Sequence, residues 1–231
     1  MSVTVGIPVY NEEDLLEPNT MLLVDLLRRR YARFEILLGS NGSSDGTVEI
    51  GRRLARQIPE VKFSHIPERG VGKAFRRFIE EASYDKLVSL DMDLSIDLDF
   101  IDEAVRRLDQ CDIVVGSKRT GKQRRSLFRR FGSGLFVVLA SWTLGVEFVD
   151  YSIGAKGYSV PTVRRYVSLI SDGSAYVLDL VFYVHRDGGR VIQVPVSCED
   201  FRRSRFNLGR EAIHKFSNLG RLWWKRNARV A

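Results

Sequence analysis

Residues 86–100 read KLVSLDMDLSIDLDF. The apolar run 87–90 stops at Asp91, and a second carboxylate follows at Asp93. An unpaired buried carboxylate is costly. These acids therefore either enter solvent where a strand ends or hold something positive. Side chains at i and i+2 share a face of an ideal strand only while the pleat continues, so their use on one cation depends on how the chain turns there. Read locally, the stretch fits two descriptions. It is an acidic cluster that starts the next helix, with Asp97 or Asp99 near its N-terminus, or it is a strand that delivers oxygen ligands to a sheet edge.

The flanking sequence sets the architecture. VTVGIPVY (3–10) is a β-branched run. In 11–32 leucines recur at helical spacing, and Pro18 predicts a break with the main helix starting near it. EILLG (35–39) is a second strand, followed by the turn-rich SNGSSDG (40–46) and a helix over 47–57. VKFSHI (61–66) is a third strand, PERGVG (67–72) a loop, and 73–82 an amphipathic helix. KLVSL (86–90) is the fourth strand, 98–108 a helix and DIVVGS (112–117) a fifth strand. Strands alternating with helices predict an α/β domain with a mainly parallel sheet. Beyond 116 the pattern is less regular. It reads as helix across 126–145, strand GAKGYSV (154–160), helices near 161–170 and 176–187, strand RVIQVPV (190–196), and a closing loop and basic helix. With no repeats and no low-complexity linker, 1–231 reads as one domain. In such sheets ligands bind beyond the carboxyl ends of the strands. PVYNEE (8–13), GSNGSSDGT (39–47), PERGVGK (67–73) and DMD (91–93) all fall there.

The 231 residues are 44% hydrophobic and 28% charged, which supports a packed core and excludes wholesale disorder. The net charge of +7 favours an anionic partner: nucleic acid, a phosphorylated small molecule or an acidic membrane surface. Basic residues concentrate in 116–131, which holds no acid, and in 201–231, where Glu211 is the one carboxylate. The two cysteines, Cys111 and Cys198, form no disulfide framework and no zinc spacing, consistent with a reducing cytosol. The chain opens directly on a strand, so no secretory leader is read. No apolar run reaches the ~20 residues of a spanning helix.

Together, IPVYNEE (7–13), EILLGSNGSSDGT (35–47), RGVGKAF (69–75) and SLDMDLS (89–95) resemble the family 2 glycosyltransferases of GT-A fold. Within that family the match is to dolichyl- or polyprenyl-phosphate sugar synthases. DIVVGSKR (112–119), VDYSIGAKGYS (149–159) and SRFNL (204–208) extend it. The resemblance implies a nucleotide-sugar-binding half over 1–116, an acceptor-binding half over 117–208, and a basic C-terminal helix over 209–231, a candidate for membrane association. It also implies that Asp91 and Asp93 form an Asp-x-Asp element holding Mg2+ or Mn2+, with Ser95 a minor contact and Met92 contributing through its backbone. Such ions prefer one or two carboxylates plus substrate phosphates, and they stabilise charge on a departing diphosphate.

The same resemblance assigns the donor, a GDP- or UDP-sugar, to the strand-end loops. Pro8, Tyr10 and Glu12 approach base and ribose; the other reading makes Tyr10 core and Asn11 a helix cap. Ser40 and Asn41 stand where relatives carry two consecutive acids. They keep hydrogen-bonding capacity without charge, which leaves the base open. Asp45 either touches ligand or caps the helix at Thr47. The glycines of RGVGKAF either offer N–H groups to an anion or make a tight turn, with Lys73 near the diphosphate. A phosphate acceptor is already largely dianionic at neutral pH and needs cations rather than a general base. Lys118, Arg119, Arg130, Arg203 and Arg205 are the candidates. Asp150 and Asp179 match acidic family positions, positioning the acceptor, acting as base toward a hydroxyl, or serving structure. RRSLFRRFGSGLFVVLASW (124–142) and KFSNLGRLWWKRNARV (215–230) suit an anionic membrane interface, with a buried helix and a solvated tail as the other readings. The expectation is a peripheral enzyme on the cytoplasmic membrane face. A hydroxyl-acceptor transferase, a non-catalytic sugar-nucleotide binder and a nucleic-acid module are the rivals, with nucleic acid not expected as partner.

Overall fold

The computed structural model describes residues 1–117, 140–145, 153–197 and 208–227, with the side chains of 216–226 in the last stretch. Strands β1 (Ser2–Val9), β2 (Arg33–Asn41), β3 (Val61–Ile66), β4 (Lys86–Ser89), β5 (Ile113–Ser117), β6 (Lys156–Ser159) and β7 (Val191–Pro195) form one sheet in the order β3-β2-β1-β4-β6-β5-β7. β1 pairs in parallel with β2 and β4, β2 with β3, and β5 with β7. β6 alone runs antiparallel, between β4 and β5. The helices are α1 (Glu13–Arg30), α2 (Thr47–Gln57), α3 (Val71–Glu81), α4 (Phe100–Arg107), α5 (Val160–Arg164), α6 (Tyr176–Arg186) and α7 (Leu208–Asn227). Residues 140–144 are also helical.

The apolar runs behave as parallel strands covered on both faces should. In β2 every residue after Arg33 is buried. Pro18 does not break α1, contrary to expectation. It lies inside a continuous helix on an exposed side, while Leu16, Thr20, Leu23 and Leu27 bury one face on both sides of it. Packing of that face outweighs the lost backbone hydrogen bond. The helix expected over 161–170 is the short α5 followed by turns, and the one expected from Lys73 starts at Val71.

A polar staple closes the β2 side. The Glu35 carboxylate is buried and accepts from Thr4 Oγ1 (2.7 Å), Ser83 N (2.6 Å) and Ser83 Oγ (2.9 Å). Lys62 Nζ lies 2.6 Å away. Burial pushes this carboxyl up, but the bonds from Lys62, Ser83 and Thr4 outweigh it and hold it below its ordinary value of 4.5. A depressed folded pKa contributes stability above the unfolded pKa and loses it as pH falls through the folded value. Glu35→Gln should therefore cost about 1–3 kcal/mol at neutral pH. In urea unfolding the gap from wild type should close progressively below pH 4.5. A gap that widened on acidification would contradict this assignment.

Candidate active site

Because β1 to β4 run in parallel, the loops that follow them share one sheet edge. Hydrogen bonds lace the first two together. Asn11, in the left-handed region at φ +52°, takes its N–H to Ser43 Oγ (3.2 Å), and its Oδ1 accepts from Ser44 N (2.8 Å). Glu12 N donates to Thr47 Oγ1 (2.8 Å), and Glu13 Oε2 accepts from Gly46 N (2.7 Å). Asp45 accepts from Thr47 N (3.0 Å) and Glu13 N (3.3 Å). Burial raises its pKa, but the bonds from Thr47 and Glu13 hold it below the usual carboxylate value. The carboxylate thus binds the first N–H of α2 from one residue before its N-cap, Gly46.

Ser40 and Asn41 close β2 as buried residues. Ser40 Oγ bonds Ser43 Oγ (3.0 Å) and lies 3.1 Å from His65 Nδ1. Asn41 Nδ2 donates to Val9 O (2.9 Å), and Oδ1 accepts from Gly70 N (3.2 Å). This amide joins three loops, and a carboxylate could not donate to Val9 O. Pro8 is half-buried in β1 beside Gly39. Arg69, not singled out from the sequence, places its guanidinium 4.1 Å from the centroid of the Tyr10 ring. Lys73 Nζ lies 3.4 Å from Glu68.

The glycines of RGVGKAF serve packing. A Cβ on Gly72 would lie 2.1 Å from Ser171 O, and one on Gly70 2.8 Å from Asp172 O. Gly72 N donates to Asp172 O (2.8 Å). With Gly70 N on Asn41, both glycine N–H groups are committed within the protein, so the expected anion cradle is not built from them.

The Asp-x-Asp segment meets the condition that the chain turn. Leu94 N donates to Asp91 O (3.1 Å), with Leu94 at φ +47°. Asp93 Oδ1 accepts from Ser95 N (3.1 Å), and Asn19 Nδ2 donates to Met92 O (2.7 Å), tying the turn to α1. Asp91 is exposed, Asp93 and Ser95 are half-buried, and the Met92 side chain is buried. The antiparallel register of β4 and β6 pairs Leu87 with Tyr158 and Ser89 with Lys156. Continued by one more pair, it sets Asp91 opposite Gly154. There a Cβ would fall 2.3–2.4 Å from the Asp91 carboxyl atoms. The carboxylate thus occupies a cradle that only a glycine leaves open.

Tyr176 starts α6 and stacks on Phe75 at 4.5 Å. Burial pushes the Tyr176 phenol far up, and the negative charge of Asp91 adds to the rise. It remains a neutral hydroxyl at physiological pH. Gly154, Arg69 and Tyr176 escape sequence reading because each matters through a partner distant in the chain.

Asp179, one of the candidate bases, has another place. It is fully buried, and its Oδ2 accepts from Ser171 N (2.7 Å). Oδ1 accepts from Asn218 Nδ2 (2.9 Å) and Arg221 Nη2 (2.8 Å). This carboxylate fastens α7 to α6, the structural role that is one of its readings from the sequence. Cys111 is buried, and burial pushes its thiol up to about 11, so it is no nucleophile at neutral pH. Lys118, Arg119, Arg130, Asp150, Cys198, Arg203 and Arg205 lie outside the described residues.

Among the described residues no group of three or more His, Cys, Asp or Glu could hold a metal by itself. The pair of hard carboxylates at 91 and 93, one of them cradled by Gly154, fits an ion whose remaining ligands come from a substrate.

Residues 4–151 match the family described as Glycosyl transferase family 2. The chain is 27% identical to glycosyltransferase AglD of Haloferax volcanii, over 99% of this chain and 38% of AglD. It is 28% identical to the undecaprenyl-phosphate mannosyltransferase of Micrococcus luteus, over 85% of this chain and 83% of that protein. It is 31% identical to an undecaprenyl-phosphate 4-deoxy-4-formamido-L-arabinose transferase of Salmonella paratyphi A, over 70% of this chain and 50% of that protein. The chain therefore spans well under two thirds of the first and third of these relatives. In fold it resembles mannosyl-3-phosphoglycerate synthase from Rubrobacter xylanophilus (TM-score 0.74, 14% identity, 99% of this chain and 75% of that one). It also resembles glucosyl-3-phosphoglycerate synthase from Mycobacterium tuberculosis, solved with Mn2+, UDP-glucose and phosphoglyceric acid (TM-score 0.70, 20% identity, 96% of this chain and 79% of that one).

Proposed function

The chain belongs to glycosyl transferase family 2, and on that premise we propose that it moves a sugar, with inversion, from a nucleoside-diphosphate donor to a polyprenyl phosphate. The observation that carries this reading is the exposed Asp91 carboxylate, held over Gly154 at the edge where the strand-end loops meet.

In this reading the base packs against the stacked Tyr10–Arg69 pair, and Glu12 faces the ribose. Asp91 and Asp93 hold Mg2+ or Mn2+ together with the donor diphosphate. When bound, the ion offsets negative charge on the leaving diphosphate. The acceptor phosphate oxygen attacks the anomeric carbon in line, the bond from that carbon to the diphosphate oxygen breaks, and nucleoside diphosphate leaves. No proton need be removed, since the phosphate monoester is already largely dianionic. That agrees with the burial of Asp179, which leaves it unavailable as a base. Lys118, Arg119, Arg130, Arg203 and Arg205 are proposed to hold the acceptor phosphate, and Asp150 to face the acceptor.

The test uses purified protein with Mn2+, a panel of radiolabelled UDP- and GDP-sugars, and either short-chain polyprenyl phosphate or soluble hydroxyl acceptors. Label should pass to the organic phase with polyprenyl phosphate. Transfer confined to soluble hydroxyl acceptors would replace this reading with the other acceptor class.

A further inference from the structure

The chain has three tryptophans in all, and none is in the core. Trp142, Trp223 and Trp224 are 83%, 48% and 70% exposed. Tryptophan is on average a highly buried residue, so exposure of all three calls for a cause.

Helix α7 carries two apolar faces. One is covered: Asn218, Leu219 and Leu222 are buried, Arg221 reaches Asp179, and Lys225 Nζ bonds the Tyr183 hydroxyl (3.0 Å). The other consists of Phe216, Gly220, Trp223 and Trp224, at spacing i, i+4, i+7, i+8, which is itself an amphipathic stripe. Phe216 is 41% exposed.

The third tryptophan lies in a segment that meets α7. Arg226 Nη1 donates to Thr143 O (2.6 Å) at the end of the helical residues 140–144. Arg226 lies three positions after Trp223 and so on the same side of α7. Ala140 and Leu144 are buried, leaving Trp142 outward beside that junction. Two segments more than 70 residues apart in sequence thus meet at the end of α7, and both carry exposed indoles.

We infer that this surface is an interfacial anchor that seats in the headgroup region of an anionic bilayer. Indole rings, apolar with one N–H donor, prefer that region. The charge of this stretch of sequence is complementary: residues 201–231 hold nine Lys or Arg against Glu211 alone. Among the described residues no helix is long and apolar enough to cross a membrane, so adsorption rather than insertion is the mode this surface fits. That the anchor serves to meet a lipid acceptor rests on the function proposed above; the adsorption itself does not.

The three tryptophans make the test direct, since all intrinsic indole emission comes from exposed side chains on α7 and on the segment that meets it. Full-length protein is titrated, without donor or acceptor, with phosphatidylcholine vesicles and with vesicles also containing phosphatidylglycerol. Emission should shift to the blue with the anionic vesicles and be quenched by acyl-chain-brominated lipid. Raising salt from about 0.1 M to about 1 M, where the screening length falls from about 10 Å to about 3 Å, should weaken binding. Trp223→Ser/Trp224→Ser, at exposed positions, should remain folded and partition about tenfold more weakly in a sedimentation assay. Its transfer to water-soluble short-chain acceptor in detergent should match wild type, which separates failure of the anchor from failure of the proposed reaction. Emission unchanged at saturating lipid would overturn the inference. So would a blue shift that appears on concentrating the protein without lipid, because a second copy would then cover the surface.

Discussion

Asp91→Asn is expected to lower turnover about a thousandfold while leaving the fold intact. Asparagine has nearly the same shape, so it can enter the same place over Gly154. The residue is exposed and lies just beyond β4, so its loss of charge should not disturb the core. What disappears is the negative oxygen that holds a divalent ion against the donor diphosphate. A thousandfold corresponds to about 4 kcal/mol of transition-state stabilisation. The loss should appear in kcat, and calorimetry should show weakened binding of Mn2+ in the presence of nucleoside diphosphate. Wild-type kcat in this variant would remove Asp91 from the chemistry.

Gly154→Ala should have the second largest effect, and it separates position from charge. The added methyl would lie 2.3 Å from the Asp91 carboxyl carbon. Because the opposing group is a side-chain carboxylate with solvent on its other side, the carboxylate should rotate away at little cost in stability. A displacement of about 1 Å at a reacting centre can cost about a hundredfold in rate, and a loss of that order is expected here. Thermal unfolding should stay within about 4 °C of wild type, the shift expected for about 1 kcal/mol in a chain of this size. Full activity would show that Asp91 need not sit where the glycine holds it. A collapse of stability would show that the glycine serves the β6 backbone instead.

These effects depend on contacts of unequal visibility in the sequence. The alternation of strand and helix up to Ser117 was legible because apolar runs and turn residues are local signals. The four polar strand ends were legible for the same reason, and parallel pairing brings them to one edge. Pro18 misled because its local rule competes with the buried face formed by Leu16 and Leu23, which only tertiary packing reveals. Asp179 has acidic character in the sequence but acquires its role from Arg221, 42 residues later. The glycines at 70 and 72 carry a phosphate-loop flavour, yet they are shaped by the approach of Ser171 and Asp172. Gly154 becomes significant only when the β4–β6 register sets it opposite Asp91. In each case the missing information is a long-range contact whose partners carry no mutual signal in a single sequence.

The aromatic surface of α7 lies between these extremes. Tryptophans among cations are visible in the sequence. That the segment carrying Trp142 meets α7 follows from the Arg226–Thr143 contact.

The most direct test of the central claim is a crystal grown with Mn2+ and the nucleoside diphosphate, examined by anomalous scattering at the manganese edge. The account predicts one strong peak at ligand distance from the Asp91 and Asp93 carboxylates and from oxygens of the diphosphate, with the base against Tyr10. A diphosphate bound away from the turn after β4, or manganese bound there without touching it, would contradict the account.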